Sequence, residues 1–92
     1  MQEETRIFKA LANERRLRIL KILSTAGQLP VNEISNRLNL SVKSTSKHLL
    51  ILERAGLLGR KQIETTVFYF MAKVTPRTFL ARILAAVKNS FK

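Results

Sequence analysis

The stretch Ser41 to Gly56, SVKSTSKHLLILERAG, constrains this chain more than any other segment. It predicts one helix of about four turns. Ser41 stands where an N-cap belongs, its hydroxyl able to meet an N–H of the first turn that has no partner inside the helix. Gly56 stands just past the end, where a left-handed residue closes a helix at least cost. Val42, Thr45, Leu49 and Leu52 share one face by the 3.6-residue period. The opposite face carries Lys43, Ser46 and Lys47 early and Arg54 late, with Ser44 on its flank. An apolar stripe that fixes the helix to a domain, backed by a cationic, hydroxyl-rich front end, is the form a major groove accepts. The same pattern describes a solvated face on an ordinary core helix. The neighbouring segments shift the balance.

Upstream, about residues 3–12 read as a first helix, with Ile7, Phe8 and Leu11 on one face and Glu3 and Glu4 near its positive end. Asn13 interrupts and is placed to cap a second helix, about 14–24. Its apolar side holds Leu17, Ile19, Leu20, Ile22 and Leu23; Arg15, Arg16, Arg18 and Lys21 fill the other. Gly27 ends it, and Gln28-Leu29-Pro30-Val31 is expected to be a short extended connector. A third, short helix follows at about 32–38, with Asn32 as its expected cap and Ile34 and Leu38 inward. Asn39 can take the left-handed conformation in place of Gly. Two helices joined by so short a turn, the second basic at its start, make a helix-turn-helix pattern.

After Gly56 the period changes. About 57–63 and 66–71 read as strands, the second rich in β-branched and aromatic residues, with Glu64-Thr65 as the hairpin tip. The tip lacks the Asn-Gly or Asp-Gly signature of the favoured turns. A hairpin directly after such a helix is a wing. A last helix starts at Thr75 and Pro76, a favourable cap and first position, and runs to about residue 90. Phe79, Leu80, Ile83, Leu84, Val87 and Phe91 make its apolar stripe, more than one small subunit has left to cover. The expectation is that this helix packs with the first helix and with its two-fold mate, the alternative being that it folds back on its own core. Ile7, Phe8, Leu11, Phe79, Leu80, Ile83, Leu84 and Val87 are then the dimerisation residues. The expected fold is mainly α with a small β-hairpin, a winged helix-turn-helix of order α-α-α-α-β-β-α, homodimeric through its first and last helices. It is expected to form one domain over residues 1–92. The helix-turn-helix spans about 32–56, the wing about 57–72 and the dimerisation helices about 3–12 and 75–91.

Charge narrows the partner. Seventeen Lys and Arg against six Asp and Glu give a net charge of +11. That excess favours DNA, RNA or an anionic membrane surface. No acid follows Glu64, while Lys73, Arg77, Arg82, Lys88 and Lys92 do. There is no cysteine, so disulfides, thiolate zinc sites and thiol switches are excluded. The opening MQEETRIF is acidic and lacks the apolar core of a signal peptide. No apolar run nears the roughly 18 residues of a membrane span. A soluble, cytoplasmic protein is expected. An enzyme is not: there is no phosphate-cradling glycine loop, no paired carboxylates on one face, and no nucleophile–base set with an orienting group.

From Phe8 to Met71 the chain resembles the ArsR (arsenical-repressor-like) winged-helix regulators. The segments FKALANERRLRILKIL (Phe8 to Leu23) and EISNRLNLSVKSTSKHLLILERAGLL (Glu33 to Leu58) carry the resemblance, with a wing ending in Phe68-Tyr69-Phe70. Ala10-Leu11-Ala12-Asn13 followed by Arg16-Leu17-x-Ile19-Leu20 is similar to the family's opening signature. Ser46-x-His48-Leu49-x-x-Leu52-x-x-x-Gly56-Leu57 is similar to that of its recognition helix. The resemblance implies a homodimer on an imperfect palindrome in a promoter, usually a repressor released by an effector. It also exposes departures. Many members sense metals through cysteines near the third helix, and Leu29 to Leu38 has none. Others bind zinc through His, Asp and Glu on the last helix, and residues 75–92 have none of those. Metal sensing is not expected of this chain, which has one histidine, and no cofactor is implied. Leu50 sits in mid-face where the family often has a polar or basic residue, and the wing tip is poorer in charge and glycine than usual.

The candidate DNA-binding residues are Ser41, Lys43, Ser44, Ser46, Lys47 and His48 on the helix and Arg60, Lys61, Thr65 and Thr66 on the wing. Lysine lacks arginine's rigid fork for guanine, so Lys43 and Lys47 suit phosphates at least as well as bases. His48 divides between a phosphate contact and a hydrogen bond inside the domain. Arg16 divides between a phosphate contact and support of the wing, and Tyr69 belongs to the core. The expected function is sequence-specific DNA binding by a transcriptional regulator, a repressor by the resemblance, with double-stranded DNA and a second copy as partners. The alternatives are a winged-helix protein-interaction module, favoured by Leu50, Ile51 and Phe91, and a nonspecific nucleic-acid binder.

Overall fold

The computed structural model describes residues 2–73, 84 and 85. In chain order it contains α1 (Gln2–Leu11), α2 (Glu14–Ala26), β1 (Gln28–Pro30), α3 (Val31–Leu38), α4 (Val42–Arg54), β2 (Leu58–Ile63) and β3 (Thr66–Met71). The helix expected over 75–91 lies outside the described residues except for Leu84 and Ala85, which are helical. So do Phe79, Leu80, Ile83 and Val87.

Local chemistry sets most helix ends. Asn13 accepts from the Arg16 N–H at 3.1 Å and starts α2. Ser41 Oγ accepts from the Ser44 N–H at 3.0 Å and starts α4. Asn39 takes φ 57°, ψ 43° after α3. The N–H of Leu40 reaches back to the Ser35 carbonyl at 3.0 Å, and that of Asn39 to the Asn36 carbonyl at 3.2 Å. The end of α4 repeats the device: Gly56 has φ 79°, Leu57 N–H bonds Leu52 O at 3.0 Å, and Gly56 N–H bonds Glu53 O at 2.9 Å. Both are Schellman closures, which satisfy terminal carbonyls while reversing the chain. Only Asn39, Leu40 and Ser41 separate α3 from α4, so the angle between the two helices is held by caps on both sides.

The start of α3 corrects the sequence reading. Pro30, extended at φ −76° and ψ 162°, is the N-cap and provides no side-chain bond. Asn32 is already inside the helix, and its carbonyl accepts from Ser35 Oγ at 2.9 Å. Pro at this boundary suits the site, because it lacks an N–H that the helix cannot use. The expected connector is also more than a connector. Gln28, Leu29 and Pro30 pair antiparallel with Phe70, Tyr69 and Phe68, giving a three-stranded sheet of order β1-β3-β2. Pro30 is tolerated there because β1 is an edge.

Ile7, Ala10, Ile19, Leu23, Ile34, Leu38, Leu49, Leu52, Ala55, Leu57 and Leu58 form the core, with Tyr69 packed against it. Helix α4 contributes Thr45, Leu49 and Leu52, all fully buried. Val42, expected on that face, is 44% exposed. It opens the first turn, where the helix leads away from the core. In β2, Gly59 faces Phe70 so closely that a Cβ would sit 2.6 Å from its ring. The hairpin therefore packs an aromatic ring where any other residue would collide.

Candidate nucleic-acid interface

Helix α4 divides by its own period. Thr45, Leu49 and Leu52 are inside, while Ser41, Lys43, Ser46, Lys47, Leu50, Ile51 and Arg54 are exposed; Ser44 and His48 are half-buried between them. Its first turn contains no acid, and Glu53 near its end is its one carboxylate. That carboxylate is engaged: Glu53 Oε2 lies 3.2 Å from Arg60 Nε. The outward front half thus presents Lys43 and Lys47, hydroxyls, and the positive end of the helix dipole, a combination that attracts phosphate. Ser41 Oγ accepts one capping bond, which leaves its own O–H free to donate outward.

The neighbourhood of α4 is basic as well. Between α1 and α4 runs a groove of about 570 Å³ lined by Arg6, Lys9, Arg16 and Ile51 among others. A second hollow of about 580 Å³ adjoins it, between Arg6, Ile51 and Arg54.

His48 and Arg16 resolve differently from one another. Arg16 donates from Nε to the Ala10 carbonyl at 2.7 Å and from Nη2 to the Lys9 carbonyl at 2.9 Å, closing the end of α1. Its Nη1 stands 3.4 Å from His48 Nδ1. Neither a phosphate contact nor wing support, the two roles weighed for Arg16, describes this; it ties α1, α2 and α4 together. His48 does make a bond inside the domain. Burial, then the nearby charges of Arg16 and Arg15, hold its pKa below the ordinary 6.5. Helical period puts Arg16 three, four and seven positions before Ile19, Leu20 and Leu23, toward the inward stripe of α2, but it also puts Arg15 four and eight before Ile19 and Leu23, so period alone does not separate the two.

On the wing, Ile63 pairs with Thr66, so Glu64-Thr65 is a two-residue tip. Glu64 takes φ 57°, and Gln62 Nε2 donates to its carbonyl at 2.9 Å. Thr65 and Thr66 are exposed at the end. Arg60 and Lys61 lie further down β2 and, by strand alternation, on opposite faces. Arg60 shares the side of buried Leu58 and is tethered to Glu53; Lys61 Nζ sits 5.9 Å from the centroid of Phe70. The four wing candidates are therefore not gathered on one surface.

Of the dimerisation candidates described, Ile7 is 5% exposed and belongs to the protomer's own core, and Leu11 is packed against it. Phe8 and Leu84 are 48% and 60% exposed. Among the described residues, no three His, Asp or Glu side chains converge as a metal site, and no helix is long and apolar enough to cross a membrane.

Residues 13–59, from the cap of α2 to the start of the wing, match the family model described as bacterial regulatory protein, arsR family. The transcriptional activator HlyU of Vibrio cholerae is 40% identical over 74 residues, covering 80% of this chain and 68% of that protein. Its solved structure superposes with a TM-score of 0.71 and 35% identity, over 99% of this chain and 95% of that one. The arsenical resistance operon repressor of Escherichia coli K12 is 44% identical over 57 residues, 61% of this chain and 49% of that protein. The homodimeric winged helix-turn-helix DNA-binding domain Mb0332 of Mycobacterium bovis gives a TM-score of 0.75 at 28% identity, over 97% of this chain and 80% of that one.

Proposed function

The chain belongs to the ArsR family of bacterial regulatory proteins, and on that premise we propose that it regulates transcription as a homodimer whose two α4 helices enter successive major grooves. One observation carries the reading. The face of α4 that the core leaves free begins in Lys43, Ser44, Ser46 and Lys47, and the single acid of that helix is drawn off to Arg60. Lysines and the helix end supply salt-sensitive phosphate affinity, and small hydroxyl residues let the backbone approach base edges. Thr65 and Thr66 at the wing tip serve the flanking backbone, with Lys61 on one face of the hairpin and Arg60 behind it. Exposed Phe8 and Leu84 are the apolar surface for the second copy. An operator with half-sites about one helical turn apart follows from two-fold symmetry. Repression results where that operator overlaps a promoter, as the name of the E. coli relative implies; the V. cholerae relative is named an activator. DNA binding places the protein's work in the cytoplasm, and no catalytic step is assigned to it.

Selection of bound sequences from random DNA tests this directly, and a palindromic motif is expected. Replacing Lys43 and Lys47 together by Ala should reduce the slope of log K against log salt by about 1.8, at roughly 0.9 per phosphate contact. No recovered motif, or an unchanged slope, would remove α4 from the interface. Exposed Leu50 and Ile51, at 42% and 39%, favour a second reading as a protein contact. Leu50→Ser would then weaken a protein complex while leaving the selected DNA motif as it was.

A further inference from the structure

The chain has one histidine, and its ring is gripped from within the domain. The two bonds from Arg16 to the carbonyls of Ala10 and Lys9, at 2.7 and 2.9 Å, fix the plane of the guanidinium. With that plane set, Nη1 points at His48 Nδ1 across 3.4 Å. A guanidinium is all donors: it has five N–H groups, no acceptor, and it keeps its proton. Nδ1 therefore has to be the accepting, unprotonated nitrogen, because a proton there would oppose two N–H groups. In a neutral imidazole the proton then resides on Nε2. Nε2 has no hydrogen-bond partner among the described residues. His48 is half-buried one residue past exposed Lys47, at the margin of the cationic front of α4.

We infer that Arg16 is a positioning residue for DNA recognition, holding His48 as the neutral Nε2–H tautomer so that it offers one directed, uncharged donor to a phosphate or base acceptor beside Lys47. A charged ring is disfavoured there by burial and by Arg16 and Arg15, which agrees with its lowered pKa. Lysines 43 and 47 contribute charge, which any phosphate satisfies; His48 contributes direction, which only a correctly placed acceptor satisfies. The assignment rests on α4 being the DNA-facing helix, so one arm of its test needs no DNA.

In tag-free protein the ring nitrogens of the single histidine are observed by nitrogen-15 NMR at neutral pH. The expected spectrum has an unprotonated Nδ1 and a protonated Nε2. Arg16→Gln, and Arg16→Met should the first variant fold poorly, are expected to move the proton population toward Nδ1, because neither leaves a group at position 16 that can only donate. A proton on Nδ1 in the parent protein, or a tautomer indifferent to both substitutions, overturns the assignment. The second arm measures binding to the selected operator. A Gln amide donor reaches the position of Nε2, and an Asn amide only that of Nδ1. His48→Gln should therefore bind about tenfold or more tighter than His48→Asn, the size expected of a bond to a charged acceptor. His48→Ala should keep the parent salt slope, because a neutral donor releases no counterion. A slope reduced by about 0.9 would mean a charged ring and overturn the tautomer. Equal binding by the Gln and Asn variants, with Lys43 and Lys47 still required, overturns the recognition role of His48 alone. Loss of the lysine requirement as well overturns the placement of α4.

Discussion

Thr45 is the most buried polar side chain of α4, at 0% exposure, and its Oγ1 has no hydrogen-bond partner among the described residues. The backbone N–H of Thr45 already bonds the Ser41 carbonyl at 3.0 Å. Thr45→Val keeps the β-branched shape and exchanges the hydroxyl for a methyl. An unsatisfied buried polar group costs about 1–3 kcal/mol, and removing it should recover most of that, since the cavity is already shaped for a branched side chain. A gain of about 1–2 kcal/mol is expected, which for a domain of this size raises Tm by roughly 4–8 °C per kcal/mol. Thermal unfolding at one fixed protein concentration is the assay, because a dimer's Tm depends on concentration. Operator affinity serves as a second readout and should not change, since Thr45 faces away from the candidate interface. A loss of stability on Thr45→Val would refute the reasoning: the hydroxyl would then have to be bonded, and α4 would sit differently on the core.

Gly59→Ala should destabilise by about 1–3 kcal/mol, the usual cost of overpacking, because its methyl meets the Phe70 ring at 2.6 Å; chemical denaturation measures it. Ser41→Ala should cost about 0.5–2 kcal/mol through loss of the cap. Ser41→Asp should restore that stability while weakening DNA binding by charge, and the two are separated by unfolding and anisotropy measurements. The His48 pKa is lowered in the fold, so between the folded value and 6.5 the unfolded chain binds more protons. Stability is fully present above about pH 6.5 and declines as pH falls from there through the folded value. His48→Gln should flatten that segment of the stability–pH curve relative to the parent.

How much of the molecule could be read in advance depends on the range of the interactions concerned. The limits of α4, the left-handed turns at Asn39 and Gly56, and the caps at Asn13 and Ser41 involve partners within about five residues, so residue types in order are enough to place them. The inward set Thr45, Leu49 and Leu52 follows from helical period in the same way. What chain order leaves open is contact across distance. The three residues of β1 have no period of their own and become a strand only because β3 offers them an edge. Asn32 has the chemistry of a cap, but with Pro30 paired to Phe68 the cap falls two residues earlier, at Pro30, and the helix starts at Val31. The difference between Arg15 and Arg16 exists only once α1 delivers the carbonyls of Lys9 and Ala10 to the latter. Arg60 and His48 likewise acquire their partners from other elements, Glu53 and Arg16. Local backbone preferences thus account for which helices form and which face of α4 is cationic. Packing accounts for which of those charged and polar groups are spent inside the protomer and which are left for DNA.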